Sequence, residues 1–440
     1  MRMCTTAAAL AAAVVVFTAA PAPSAAQDRS TDQTIRFHQS RVAADPDDPL
    51  AHNRLAAAYV QKARESGDLT YYGLAEKAAT RSLTLLPRGP SAAIAAALLA
   101  AVHLARHEFT DALARARQAS DLDPSEPTTH AIAGDALIEL GEYEQAAQAY
   151  GRIARLDGPQ GPDSRLAYLK FLNGDSRGAI AGMQRAVALV SSSAPLGEPT
   201  AWARAQLGDL YFHVGDLAAA ERAYAGAQAA APGYPRALAA LARVRAVQGR
   251  DRDAVELYGR ALAIIPLPEY AAALGDLHAH AGRTAEANRQ YALVEYIGRL
   301  STLNKVVYNR ELALFYADHG RHLPEALDLA RRELDVRRDV YTWDVLAWAL
   351  HQNGRATEAA AAMSDALRLG TRDARLLFHA GMIHKTLGDT DRARDYLAQA
   401  LALNPRSHVL QAEIASRALA ELTRGSGQGT RSSGDQGRRP

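Results

Sequence analysis

Glycine returns along this chain at a spacing that few folds can use. Gly215, Gly249 and Gly282 follow one another at 34 and 33 residues, Gly320, Gly354 and Gly388 at 34 and 34, and Gly141 and Gly174 stand 33 apart. Each lies between two apolar stretches with helical spacing, where a short helix-to-helix turn needs a residue that tolerates positive φ. One helix pair cannot bury its apolar side alone, so a copied pair must stack on its neighbours along a continuous core. The period therefore points to an all-α solenoid.

Other positions recur with the glycines. Leu207-Gly208 and Tyr211 precede one turn, and Ala220, Tyr224, Ala227 and Pro232 follow it. The next unit repeats this as Leu241-Ala242, Ala254, Tyr258, Ala261 and Pro266, and the one after as Leu274-Gly275, Ala287 and Tyr291. Gly134, Ala146 and Tyr150 belong to the same series, as do Trp343, Leu346-Ala347, Ala359 and Ala366, and then Gly381, Ala393, Ala400 and Pro405. Gly208 and Ala220 fall where the two helices of one unit would cross, at interaxial distances of about 8–10 Å that admit little else. Tyr224 is set to fill the gap toward the next unit, and Pro232 to stop the second helix.

This pattern resembles the tetratricopeptide repeat family, whose unit reads Trp-x2-Leu-Gly-x2-Tyr, then Ala, an aromatic, Ala and Pro. The resemblance spans roughly residues 48 to 405 and implies an α-α superhelix, a right-handed solenoid of about ten helix–turn–helix units. Approximate units are 48–87, 90–124, 127–157, 163–190, 200–232, 234–266, 268–298, 306–339, 340–370 and 374–405. Only Trp343 keeps the Trp position. Residues 27–47 read as a polar linker with at most one short helix, 406–423 as a C-terminal capping helix, and 424–440 as a disordered tail of Gly, Ser, Gln and Arg.

Composition narrows the function. With 50 basic against 48 acidic residues, the chain carries no broad footprint for nucleic acid or an anionic membrane. Residues 1–26 read as a signal peptide: Arg2, an apolar run through Val14-Val15-Val16-Phe17, then small residues to Ala26. That run is about half the ~20 residues needed to span a bilayer. Cys4, the single cysteine, falls before it, so an exported mature chain would hold no thiol for disulfides, catalysis or metal. Export to a bacterial periplasm or to the exterior is the expectation.

Few motifs carry chemistry. Gly174-Asp175-Ser176-Arg177-Gly178 has the letters of a hydrolase nucleophile elbow, but that elbow needs a strand before it, and Leu166 to Leu172 reads as helix. His278 and His280, two apart, point to different helix faces, whereas His319 and His322 flank a turn and could meet; packed imidazoles at the consensus-Tyr position account better for His103, His278 and His384. Glu333 and Arg337, four apart within a basic-looking run, suit a self-paired exposed helix face. No catalytic, cofactor or metal site follows from these patterns.

In the resembling family the first helix of each unit lines the concave groove. Carried onto this sequence, the groove positions are Asp135, Asp209 and Asp276 with Arg243 among them, then Trp202, Arg236, Tyr341, Trp348 and His351, joined by Phe212 and Phe378. A row of carboxylates ending in aromatics would suit a basic, extended peptide, and the resemblance implies a non-catalytic scaffold for a protein or peptide partner. The competing account makes the carboxylates local supports and the aromatics core. A structural subunit of an envelope or secretion assembly is the alternative function, and a metal-handling protein or enzyme using loop histidines ranks behind it. If the helix crossing lies at Ala220, Ala220→Leu should lower the urea-denaturation free energy by about 1–3 kcal/mol; an unchanged transition would break the assigned register.

Overall fold

The computed structural model describes residues 30–157, 163–303 and 309–428. Among them twenty-two α-helices follow one another and no strand forms. Residues 1–26, read from sequence as a signal peptide, and most of the stretch 424–440, read as a tail, lie outside the described residues. Helix α1 (Thr31–Ala44) occupies most of the stretch read as linker, a longer helix than the sequence suggested. Ser30 and Gln33 close a reciprocal capping box on it, and Ile35 buries it beside Leu55 and Tyr59.

Ten helix pairs come next. They are α2 (Pro49–Ser66) with α3 (Thr70–Leu85), α4 (Pro90–Ala105) with α5 (Phe109–Leu122), α6 (Pro127–Glu139) with α7 (Tyr143–Asp157), and α8 (Asp163–Leu172) with α9 (Ser176–Ser193). The middle pairs are α10 (Glu198–His213) with α11 (Leu217–Ala230), α12 (Pro235–Val247) with α13 (Asp251–Ile264), and α14 (Pro268–His280) with α15 (Thr284–Leu303). The last are α16 (Asn309–Asp318) with α17 (Leu323–Val336), α18 (Val340–Gln352) with α19 (Ala356–Ala366), and α20 (Ala374–Thr386) with α21 (Thr390–Leu403). Helix α22 (Gln411–Gln428) closes the series and continues five residues beyond the expected end of the cap at 423.

Local chemistry sets these boundaries. Proline opens α2, α4, α6, α12 and α14, where its fixed φ suits the first turn and its missing N–H costs nothing. Asp175, Asp216 and Asp389 cap α9, α11 and α21 by accepting from backbone N–H groups. The turn glycines have φ between 60° and 78°, the left-handed region expected of them, and none lies within a helix. In the α4–α5 turn His107 takes that place at φ 62°.

From the second pair onward, each pair closes on a small residue of its second helix. Ala112, Ala146, Ala179, Ala220, Ala254, Ala287, Ala326, Ala359 and Ala393 are each at most 2% exposed. A second close approach runs the other way. A Cβ on Gly134, Gly208 or Gly275 would meet the ring of Tyr150, Tyr224 or Tyr291. Tyr224 thus lies against Gly208 within its own unit and also reaches the next, where it packs with Ala237, Ala240 and Val244 and its hydroxyl accepts from Arg243.

The solenoid winds tightly enough to meet itself. The α6–α7 turn touches the loop before α18: the Arg338 N–H donates to the Glu139 carbonyl at 2.8 Å, and the Val340 N–H to the Tyr143 hydroxyl at 2.9 Å. The Thr371 hydroxyl, before α20, donates to the Leu172 carbonyl at 2.5 Å, and Asn404, in the loop before α22, to the Phe212 carbonyl at 2.7 Å. Nearer the N-terminus Arg64 pairs with Glu198 at 2.5 Å. Turn edges of the third to fifth pairs therefore dock against loops six units further on. There the turn glycines have no room: a Cβ on Gly141 would lie 2.5 Å from the Arg338 carbonyl oxygen, and on Gly174 2.6 Å from that of Gly370. Gly249, Gly282, Gly320, Gly354 and Gly388 have open space instead.

Alanine at Gly249 should cost about 1–2 kcal/mol for the left-handed backbone alone. Alanine at Gly174 should cost about 1–3 kcal/mol more, because Gly370 backbone must also move. Urea denaturation of the two variants separates these outcomes; equal losses would deny that the coils touch.

Candidate interaction surface

The first helices carry their inward carboxylates in a repeating arrangement. Asp135, Asp209 and Asp276 each follow a glycine, and each accepts the hydroxyl of the tyrosine fifteen residues on: Tyr150 at 2.9 Å, Tyr224 at 2.7 Å and Tyr291 at 2.8 Å. The glycine makes room for the ring, and the next residue receives its O–H. At the equivalent place after Ala242 stands Arg243.

A donor from a later unit completes every carboxylate. Arg165 grips Asp135 at 2.9–3.1 Å through two nitrogens. Arg236 and Arg243 reach Asp209 at 2.8 and 2.9 Å. His319 lies 2.6 Å from Asp276, with His408 at 3.3 Å on its other oxygen. The series continues with the Trp348 indole N–H donating to Asp318 at 2.8 Å, Gln411 to the same carboxylate at 3.0 Å, and His379 against Asp344 at 2.8 Å. Burial works against ionisation of Asp209, yet Arg236 and Arg243 hold it below the ordinary carboxylate value. Burial opposes ionisation at Asp276 too, and the hydrogen bonds from His319 and His408 still keep it well down. Asp318, whose neighbours are weaker, is pushed up by burial.

The row of carboxylates is therefore already neutralised by the chain itself. Asp135 and Asp276 are buried, and the account in which they support the helices describes them. Phe212 and Phe378 are core, the first beneath the Arg243 guanidinium at 4.0 Å. Trp348 is buried as well, stacked between His351 at 5.0 Å and His379 at 4.2 Å. Of the groove positions, Trp202, Asp209, Arg236, Arg243, Tyr341 and His351 keep partial exposure. Tyr341 is covered on one side by Arg375, 5.5 Å from its ring.

Other sequence features resolve plainly. Ser176 starts α9 and follows helix α8, so the elbow letters have no strand behind them. His319 and His322 take different partners, Asp276 and Glu295, and His278 faces Arg283. The Glu333–Arg337 pair forms, but in the interior and not on an exposed face: the two are 0% and 1% exposed, and Arg337 also meets Glu139 at 3.3 Å from the neighbouring coil. Burial pushes Glu139 up to about 7 against the pull of Arg337. Among the described residues, His103, Glu108 and Asp111 gather donor atoms within 4.8 Å of one another, a grouping that sequence spacing did not single out. Two of these three are exposed, and nothing else in the structure marks a bound ion. No described helix is long and apolar enough to cross a membrane.

Two stretches match family models: residues 68–153 that of anaphase-promoting complex, cyclosome, subunit 3, and residues 374–407 that of the tetratricopeptide repeat. No curated protein matches the sequence. Among solved structures the chain is similar to the APC/C hetero-tetramer Cut9-Hcn1, at 15% identity and TM-score 0.34 over 89% of this chain and 93% of that one. A tetratricopeptide repeat protein from Parabacteroides merdae gives 16% and 0.34 over 63% and 99%, and yeast Tom70 gives 14% and 0.36 over 92% and 94%. The two sequence matches support a tetratricopeptide unit.

The Asp276–His319 contact fixes a pH dependence. His319 is raised above its ordinary 6.5: burial opposes its charge, and Asp276 outweighs burial. Its contribution is complete below 6.5 and fades as pH climbs through the raised value; that of Asp276 is complete above 3.8 and fades as pH falls through its depressed value. The pair's own contribution, read as the difference in urea midpoint between the parent and His319→Gln, should therefore hold from about pH 4 to 6.5 and decline above. A difference that stays constant above that range would assign it elsewhere.

Proposed function

We propose that this tetratricopeptide-type solenoid is a non-catalytic scaffold that binds a protein or peptide partner along its inner face, and that it works outside the cytoplasm of a bacterial cell. The observation carrying the first part is the string of interlocked first helices. Helices α8, α12, α18 and α20 each hand a donor to the carboxylate of an earlier one, and a rigid inner surface results, with Trp202, Arg236, Arg243, Tyr341 and His351 partly open. A surface held in one shape loses little entropy when it binds.

The internal pairing changes the chemistry a partner should offer. Asp135, Asp209 and Asp276 present no bare negative row, so a purely basic peptide gains less than the sequence suggested. What remains accessible is guanidinium and aromatic, which suits an extended segment carrying backbone carbonyls or a carboxylate and one apolar anchor. Export rests on residues 1–26, with their basic start, apolar run and small residues at Ala25-Ala26.

Affinity capture on the purified chain, with the bound fraction identified by mass spectrometry, tests the scaffold. Trp202→Ala and His351→Ala should each weaken capture of the same partner about tenfold or more while helicity and melting stay as in the parent. Retention of the partner by both variants would move the binding surface elsewhere. Secretion of a reporter fused after residue 26, lost when the apolar run is interrupted by Val15→Arg, tests export.

A further inference from the structure

The connector between α21 and α22 does more than join two helices. Pro405 bars α21 from continuing and holds Asn404 extended, at φ −150° and ψ 97°. The connector then runs from 404 to 410, longer than 231–234 or 265–267, which link a second helix to the next first helix in earlier units. Asn404 anchors it: 2% exposed, it donates to the Phe212 carbonyl and accepts from the Arg406 N–H at 2.9 Å. From there the chain crosses the inner flank of units six to eight, the pairs α12–α13, α14–α15 and α16–α17.

Three side chains seat this strap. The His408 Nδ1 accepts from the N–H groups of Leu410 and Gln411 at 3.2 and 3.4 Å, so its Nε2 carries the proton and faces Asp276 at 3.3 Å. Val409 packs on Ala246, Ala254 and Leu277. The Gln411 amide donates to Asp318 at 3.0 Å. The pattern is a donor, an apolar residue directly after it and an amide two residues further. It lies between the partly open groove positions of units five and six, Trp202, Arg236 and Arg243, and those of unit nine, Tyr341 and His351. A partner that spans both groups must pass where the strap lies.

The seat is shallow, and its loss leaves neither carboxylate without a partner. The loops before α18 and α20 dock through Arg337, Asp339, Thr371 and Asp373, all at most 5% exposed. Past Asn404, by contrast, every residue of the strap keeps partial or full exposure. Asp276 retains the Tyr291 hydroxyl and His319 when His408 withdraws, and Asp318 retains the Trp348 indole when Gln411 does. A carboxylate that stays bonded adds no penalty of an unmade hydrogen bond to the opening.

We propose that the inner flank of units six to eight is a binding site for a short protein segment of that pattern, and that residues 405–411 fill it until such a partner displaces them. This rests on the reading of the inner face as a binding surface and adds to the partner's chemistry. Besides a carboxylate or carbonyls for the arginines, the partner carries a donor, an apolar residue and an amide in the order of His408, Val409 and Gln411. Asn404 and α22 stay in place during the exchange, α22 being held separately by Ala415, Ala418 and the Lys385–Glu421 pair. A strap tied to the chain competes with every partner, so the closed fraction sets how far the apparent affinity falls below the intrinsic one.

A fluorescein-labelled peptide of residues 404–414, titrated with the full chain and read by anisotropy, tests this without any partner. Val409→Asp and His408→Ala in the protein should open the strap, and each should bind the peptide about tenfold tighter than the parent does. Hydrogen exchange should rise over 405–411 in both variants while α12, α14 and α22 stay protected, and melting should stay near that of the parent. Peptides carrying Val409→Asp or Gln411→Ala should lose binding to the opened chain. A peptide that binds both variants no better than the parent would overturn the proposal, as would altered peptides that bind like the original. Either result leaves capture by Trp202→Ala and His351→Ala to decide the wider scaffold reading on its own.

Discussion

Everything in this molecule depends on how closely two helices can pass. The nine second-helix alanines leave no side chain thick enough to hold the pair apart, and the first-helix glycines admit a tyrosine ring against bare backbone. Close packing of this kind draws its strength from many weak dispersion contacts, so a single extra methylene is felt. It also explains a core so rich in alanine and so poor in aromatics: the volume that larger side chains fill elsewhere is taken here by backbone.

The polar groups of the inner face follow from the same geometry. A tyrosine driven under the first helix brings a hydroxyl to a place where an unbonded O–H would be costly. The aspartate after the glycine receives it, and then needs a cation of its own. Arg165, Arg236 with Arg243, and His319 supply these cations from later units. One packing decision thus spreads into a line of hydrogen bonds that ties units together. The aspartates look like a binding row in sequence because they sit at groove positions; they are structural because the tyrosines oblige them to be.

How much of this was legible follows the range of the interaction. The turn glycines, the alanine at each crossing and the proline starts are local, and the repeat multiplied their signal. Asp135 with Tyr150 was within reach as well, a fixed offset of fifteen residues present three times. The contacts of Arg337 with Glu139, Thr371 with Leu172 and Asn404 with Phe212 were not. They join segments about 190 to 200 residues apart, and their existence depends on the small rotation between successive units, which no short window of sequence expresses. The run around Arg337 shows the difficulty. Its spacing describes a surface helix equally well, and only the arrival of another coil buries it.

That meeting of coils changes what kind of object the chain is. A stack in which each unit knows only its neighbours behaves as a line, free to fray from either end and to stretch as an open spring. Here the rungs at Glu139, Leu172 and Phe212 fasten one winding to the next. Tension applied at the termini would load these cross-links before it could widen the pitch. The molecule should resist extension like a coil wound shut, stiff at first, and become compliant only after the rungs part.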